Sequence, residues 1–163
     1  GGSDPTNETG KVLSAIKILK TNKQFLEVNV VIGKSDKNKH KIKQLCNSIP
    51  NAKLYESVYN IGKLMCKADL AVGAGGSSTL ERLCLGLPSI VSIIATNQEE
   101  STMALGKKGY IINVGSAKNL TIKKYVEIFE NLDVKKLQSI SRNSLKVVDG
   151  KGGMRVAKTI MHL

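Results

Sequence analysis

Apolar positions in this chain switch repeatedly between a helical spacing and short β-branched runs. From residue 12 to residue 19 the spacing is helical, and Asp4 followed by Pro5 supplies an N-cap and a first-turn proline, so a helix is expected from about residue 5. Residues 25–32 (FLEVNVVI) read as a buried strand ending at Gly33, before a polar loop over 34–39. A second helix is expected over 39–47, closed by Pro50. A short strand at 52–55, a helix over 58–67 and a strand at 69–73 (DLAVG) follow, the last entering a glycine-rich turn. The pattern continues with a helix over 78–85, a strand over 89–94, a helix over 99–107 and a strand over 110–114. Residues 118–163 are helical in pattern, broken near 149–153 by DGKGG.

Strands alternating with helices of this length predict an α/β fold, a Rossmann-like doubly wound parallel sheet. Each crossover needs a covering helix, and parallel strands are buried on both faces. At 163 residues, a single domain with a helical tail from about 118 is expected. In such folds ligands lie beyond the carboxyl ends of the strands, so the loops there are where chemistry is to be sought.

Composition narrows the class. An apolar fraction of 41% with 4% aromatic suits a folded α/β domain. The net charge of +12 arises from 22 lysines and only Arg82, Arg142 and Arg155, spread along the chain. Dispersed lysine with few stacking aromatics argues against a nucleic-acid reader. It suits a diphosphate, a peripheral contact with an anionic membrane surface, or simply a lysine-rich composition. Cys46, Cys66 and Cys84 are odd in number, isolated and set in helical patterns at apolar positions. They predict core packing in a reducing cytoplasm, neither a disulfide framework nor a metal site. Every apolar run is interrupted by charge, so no transmembrane helix is expected.

Gly73-Ala74-Gly75-Gly76-Ser77-Ser78-Thr79 joins a buried strand to a helix. Small residues let a ligand approach the backbone, and the free amides of a helix N-terminus favour an anion such as a diphosphate; the other reading is a tight packing turn. The dinucleotide fingerprint is absent because Ser78 stands where its third glycine belongs, and no Walker lysine follows. Glu81 lies one turn on, where a carboxylate can accept from both ribose hydroxyls; Ser78-x-x-Glu81 equally fits a capping box. Gly1-Gly2-Ser3-Asp4-Pro5 is a second glycine-plus-hydroxyl loop before a helix, unless its glycines are a linker scar. Asn97 and Gln98 offer amides to sugar hydroxyls, with helix capping by Asn97 as the alternative. His40 sits among lysines and His162 near the end, so neither is placed for catalysis. No catalytic residue, cofactor or metal ligand is expected here.

GGSDP, Ala68-Asp69-Leu70 leading to GAGGSSTLER, then CLGLPSIV and Asn97-Gln98, resemble the UDP-sugar hydrolase family of the pseudaminic-acid pathway over roughly residues 1–115. That family releases UDP from UDP-2,4-diacetamido-2,4,6-trideoxy-β-L-altropyranose. It is similar in turn to the C-terminal half of the GT-B lipid-II N-acetylglucosaminyltransferase. The resemblance implies that Glu81 holds the uridine ribose and that Ser77 and Ser78 hold the diphosphate, on the loop where Gly75 and Gly76 let a ligand approach the backbone. It gives Gly2 and Ser3 the facing phosphate or sugar, Gln98 the sugar, and the Val58 backbone the uracil. It also implies a partner: an absent N-terminal domain carrying the family's catalytic histidine, so that the chain alone binds UDP or a UDP-sugar without turning it over. The reaction implied is hydrolysis by a base-activated water, with UDP as leaving group stabilised by the loop amides. The donor half of a UDP-glycosyltransferase, passing the sugar to an acceptor, is the alternative, because both use the same UDP-binding half.

Overall fold

The computed structural model describes residues 4–19 and 27–162. In chain order these form α1 (Glu8–Ile18), β1 (Val28–Ile32), α2 (Lys39–Asn47), β2 (Ala52–Glu56), α3 (Ile61–Met65), β3 (Ala71–Ala74), α4 (Ser77–Cys84), β4 (Ser89–Ile93), α5 (Glu99–Lys107), β5 (Ile112–Ser116), α6 (Ile122–Glu130), α7 (Val134–Ser144) and α8 (Gly152–Met161). The strand–helix alternation is that of the sequence reading. Every strand pair is parallel, yet the hydrogen bonding falls into two pieces: β1 beside β2, and β3-β4-β5 in that order.

Helix α1 begins three residues later than Pro5 suggests. Asn7 takes a left-handed conformation (φ 53°), and the Asp4 carboxylate reaches past it to accept the amides of Glu8 and Thr9 at 2.9 and 2.7 Å. Asp4 thus still satisfies first-turn donors, but across an intervening turn. Helix α3 is shorter than the 58–67 expected: the Asn60 side chain accepts from the Lys63 amide at 3.2 Å and starts it late. The helix also ends at Met65, short of the expected 67, leaving Cys66 outside it. Cys46 is buried and Cys84 half-buried, but Cys66 is exposed at the C-cap of α3. Burial pushes the Cys46 thiol up from its ordinary value.

The two pieces of sheet are joined by α1. Its Leu13 packs with Val30, Ile32, Ile42 and Cys46, its Ala15 with Ile90, Leu120, Tyr125 and Phe129, and Ile16 touches both groups. One polar contact fixes its register against α6. The buried Tyr125 hydroxyl donates to Glu8 Oε2 at 2.6 Å, and Lys11 Nζ bridges Glu8 Oε1 (2.6 Å) and the Ala117 carbonyl (3.1 Å). Burial, and then the Glu8 bond, push the Tyr125 hydroxyl far above its ordinary value, so it remains a donor.

Helix α8 stands apart. Asp149 accepts from Arg155 at 2.6 and 3.1 Å, which with the Lys151 amide holds its carboxyl down at about 2. No residue of α8 is buried, and Met154, Val156, Ile160 and Met161 are exposed. Among the described residues no helix is long and apolar enough to cross a membrane.

Removing the Tyr125 hydroxyl leaves the buried Glu8 carboxylate short of a donor. Tyr125→Phe is therefore expected to lower stability by about 1–3 kcal/mol in urea unfolding. An unchanged midpoint would remove this contact from the account of the junction.

Candidate functional site

Strand β3 ends at Ala74, and the chain turns through Gly75 and Gly76 into α4. The Gly75 amide still donates to the Ser92 carbonyl of β4 at 2.9 Å, so the turn is anchored to the sheet edge. Gly75 has no room for a side chain: a β-carbon there would lie 2.1 Å from Thr102 Oγ1 of α5. Gly76 is the N-cap of α4, with extended backbone.

The period of α4 sorts its residues into two faces. Thr79, Arg82 and Leu83 are buried, while Ser77, Leu80 and Glu81 are exposed, as i, i+3 and i+4 neighbours should be. Because Gly76 is the N-cap, Thr79 rather than Glu81 occupies the third helical position. The capping-box reading of Ser78 and Glu81 therefore fails. The Glu81 carboxylate makes no hydrogen bond or ion pair among the described residues and stays exposed, one turn beyond Ser77. The Ser77 and Ser78 amides likewise have no protein acceptor there, as a helix N-terminus leaves them.

A cleft of about 310 Å³ opens over this turn. Gly75, Gly76, Ser77 and Leu80 form one wall, and Asn97, Gln98, Ser101 and Thr102 the other. The second wall begins in a 3-10 turn, Thr96–Gln98, directly after β4. Gln98 Oε1 accepts the Ile94 amide at 3.1 Å, which orients the side chain and leaves its NH2 to donate outward. That NH2 faces the turn, 3.8 Å from where a Gly76 β-carbon would be. Asn97 is exposed and caps no helix, since Gln98 precedes α5 and makes no side-chain cap bond.

The cleft thus unites Gly75, Gly76, Ser77, Asn97 and Gln98. Ser78 is turned inward, its Oγ accepting from Arg82 Nη1 at 3.4 Å, so only its amide faces outward chemistry. Val58 lies on a different loop, after β2, half-buried beside a fully exposed Tyr59. Gly2 and Ser3 fall outside the described residues. A second cleft of about 400 Å³, lined by Gly106, Asn113, Lys136 and Asn143 among others, contains none of the expected residues. His40 and His162 are exposed on α2 and after α8. Among the described residues no group of His, Cys, Asp and Glu gathers as a metal site.

Two residues of the site were not singled out from sequence. Thr102 forces Gly75 to be glycine and reads as an unremarkable helical threonine until α5 is docked. Arg82 lies beneath the turn, 5% exposed, donating to the Ala74 carbonyl (3.1 Å) and Thr79 Oγ1 (2.9 Å). Burial pulls its guanidinium below the ordinary arginine value, while the neighbouring Glu81 charge pushes it the other way. It remains a cation in every accessible state.

The family model described as "Glycosyltransferase family 28 C-terminal domain" matches residues 1–153. The chain belongs to that family. As a family 28 C-terminal domain it is 26% identical over 167 residues to the spore coat polysaccharide biosynthesis protein SpsG of Bacillus subtilis strain 168, covering 100% of this chain and 48% of SpsG. Among solved structures it superposes on MurG of Acinetobacter baumannii with a TM-score of 0.77 at 16% identity, over 100% of this chain and 48% of MurG. It superposes on the UDP-GlcNAc 2-epimerase of Neisseria meningitidis, solved with UDP-GlcNAc bound, with a TM-score of 0.66 at 20% identity, over 96% of this chain and 41% of the epimerase. The fold is therefore the Rossmann-like parallel architecture of a GT-B C-terminal domain. The chain spans about half the length of these relatives.

The Gly75–Thr102 contact makes a measurable prediction. Gly75→Ala is expected to destabilise by about 1–3 kcal/mol through overpacking. Thr102→Ala removes the opposing oxygen and restores part of that loss in the double variant. Purely additive losses in a double-mutant cycle would show that the two positions do not touch.

Proposed function

We propose that this chain is the UDP-sugar donor-binding half of a GT-B glycosyltransferase-like enzyme of polysaccharide biosynthesis. The observation that carries the reading is the pair of unpartnered Ser77 and Ser78 amides at the N-terminus of α4, opening on a cleft whose opposite wall presents the Gln98 amide. A diphosphate seated on those amides meets the positive end of the helix. Gly75 and Gly76 keep the approach clear. Gln98 and Asn97 then face the sugar, and Glu81, exposed and uncommitted on the same helix face as Ser77, receives the ribose hydroxyls. Val58 offers its backbone to the base, and Gly2 with Ser3 closes on the phosphates from the chain's start. The epimerase relative, solved with a UDP-sugar, and SpsG, named for polysaccharide biosynthesis, support this substrate class.

Transfer to an acceptor is favoured over hydrolysis because the family matched is a glycosyltransferase domain. The residues that resemble the pseudaminic-acid hydrolases, GAGGSSTLER above all, sit at the donor end of the site and serve either outcome. In both, the reacting centre faces a second half of the enzyme, which supplies the acceptor or the water and the base.

Calorimetric titration with UDP, GDP, CDP and ADP tests the proposal: UDP is expected to bind tightest, and equal heats for all four would sink the uridine assignment. Glu81→Ala is expected to cost roughly 1.5–3 kcal/mol, about ten- to a hundredfold, in UDP affinity while leaving pyrophosphate binding nearly intact. A fall in melting temperature with unchanged UDP affinity would instead make Glu81 a purely structural residue.

A further inference from the structure

The Arg82 guanidinium is placed where a fold has little reason to keep a charge. Its residue is 5% exposed, and among the described residues no carboxylate lies within ion-pair distance. Its partners are all neutral: the Ala74 carbonyl, Thr79 Oγ1 and Ser78 Oγ. Among the described residues its Nε has no partner. Leaving a buried charge uncompensated is costly, and evolution ordinarily supplies a counter-ion or removes the charge. A neutral side chain of similar length, such as Gln or Met, would pack the same helix face.

The strand above is shaped around the guanidinium. A β-carbon on Gly73 would lie 2.9 Å from Nη1, so the end of β3 carries no side chain where the cation sits. Through Ser78 and Ala74 the guanidinium contacts the same turn whose outer surface presents the free Ser77 and Ser78 amides. An anion on those amides faces the helix end in front and a buried cation behind. The cation is buried and hydrogen-bonded only to neutral groups, so its field at the turn is screened less than that of an exposed charge.

We infer that Arg82 is a positioning residue whose buried charge sets the glycine turn's preference for a polyanionic ligand, so that affinity rises steeply from nucleoside to nucleoside monophosphate to nucleoside diphosphate. The inference deepens the donor-site reading and rests on it for the identity of the nucleoside. The charge itself is tested separately with inorganic pyrophosphate. Arg82 touches no ligand directly; it acts through the turn. The competing account is that Arg82 merely clamps β3 to α4, in which case its loss weakens all ligands alike.

The test is titration of this chain, and of Arg82→Lys and Arg82→Gln, with uridine, UMP, UDP and pyrophosphate, alongside thermal melts. Arg82→Gln is expected to weaken UDP and pyrophosphate on the order of tenfold or more, UMP less, and uridine hardly at all. Arg82→Lys keeps the charge and should retain most of the diphosphate preference. Equal weakening of all four ligands, or a lysine variant as impaired as the glutamine one, overturns the inference. If wild type binds pyrophosphate in an Arg82-dependent way but no uridine nucleotide, the charge role stands and the donor assignment falls. If it binds neither, both fall. Should the variants fail to fold, the wild-type Nε–H resonance of Arg82 decides. Pyrophosphate should shift that signal and uridine should not, and an unmoved signal at saturating pyrophosphate rejects the inference.

Discussion

No backbone hydrogen bond joins the β1-β2 pair to the β3-β4-β5 sheet among the described residues, so the relation between them depends on what packs across the gap. Helix α1 does this with two consecutive inward positions, Leu13 to one core and Ala15 to the other. Apolar contacts alone would tolerate sliding along the helix axis. The buried Glu8 carboxylate, held by Tyr125 and Lys11, does not, because a shift would strand it without donors. The orientation of the loops at the carboxyl ends of β1 and β3 follows from this one junction.

Much of the architecture was legible from period alone. SIVSI admits little but buried parallel strand, whereas VNVVI, expected to be buried throughout, buries only Val30 and Ile32 and leaves Asn29 and Val31 exposed; the helices between such runs leave no other connection. Boundaries were less legible where a side chain outbids the pattern. Asp4 caps across a left-handed Asn7, Asn60 starts α3 late, and α3 ends at Met65, which leaves Cys66 off the buried stripe. The division of the sheet was not legible at all, since it is a matter of hydrogen-bond distance between strands that the pattern treats alike.

At the site, the glycine turn was written in the run of small residues, but the ambiguity over Glu81 was not resolvable from spacing. A two-residue shift of the N-cap, to Gly76 from Ser78, rules out the capping box. Thr102 and Arg82 escaped notice for opposite reasons. Thr102 acts through a contact between α5 and the Gly75 turn that no local motif announces. Arg82 stood in plain view within a charged helix, and only its position on the Thr79–Leu83 face shows that it points inward. A cation at an otherwise apolar helical position is the signal that would have found it.

The unequal fates of the three thiols bear on how the molecule can be watched. Cys46 is buried with its thiolate disfavoured, Cys84 is half-covered, and Cys66 stands in solvent at the end of a short helix that follows the Val58 loop. A maleimide dye therefore attaches at Cys66 first. Because α3 is only five residues long, the fluorophore is carried close to the loop after β2. Wild-type protein thus accepts an optical reporter beside that rim with no engineered cysteine.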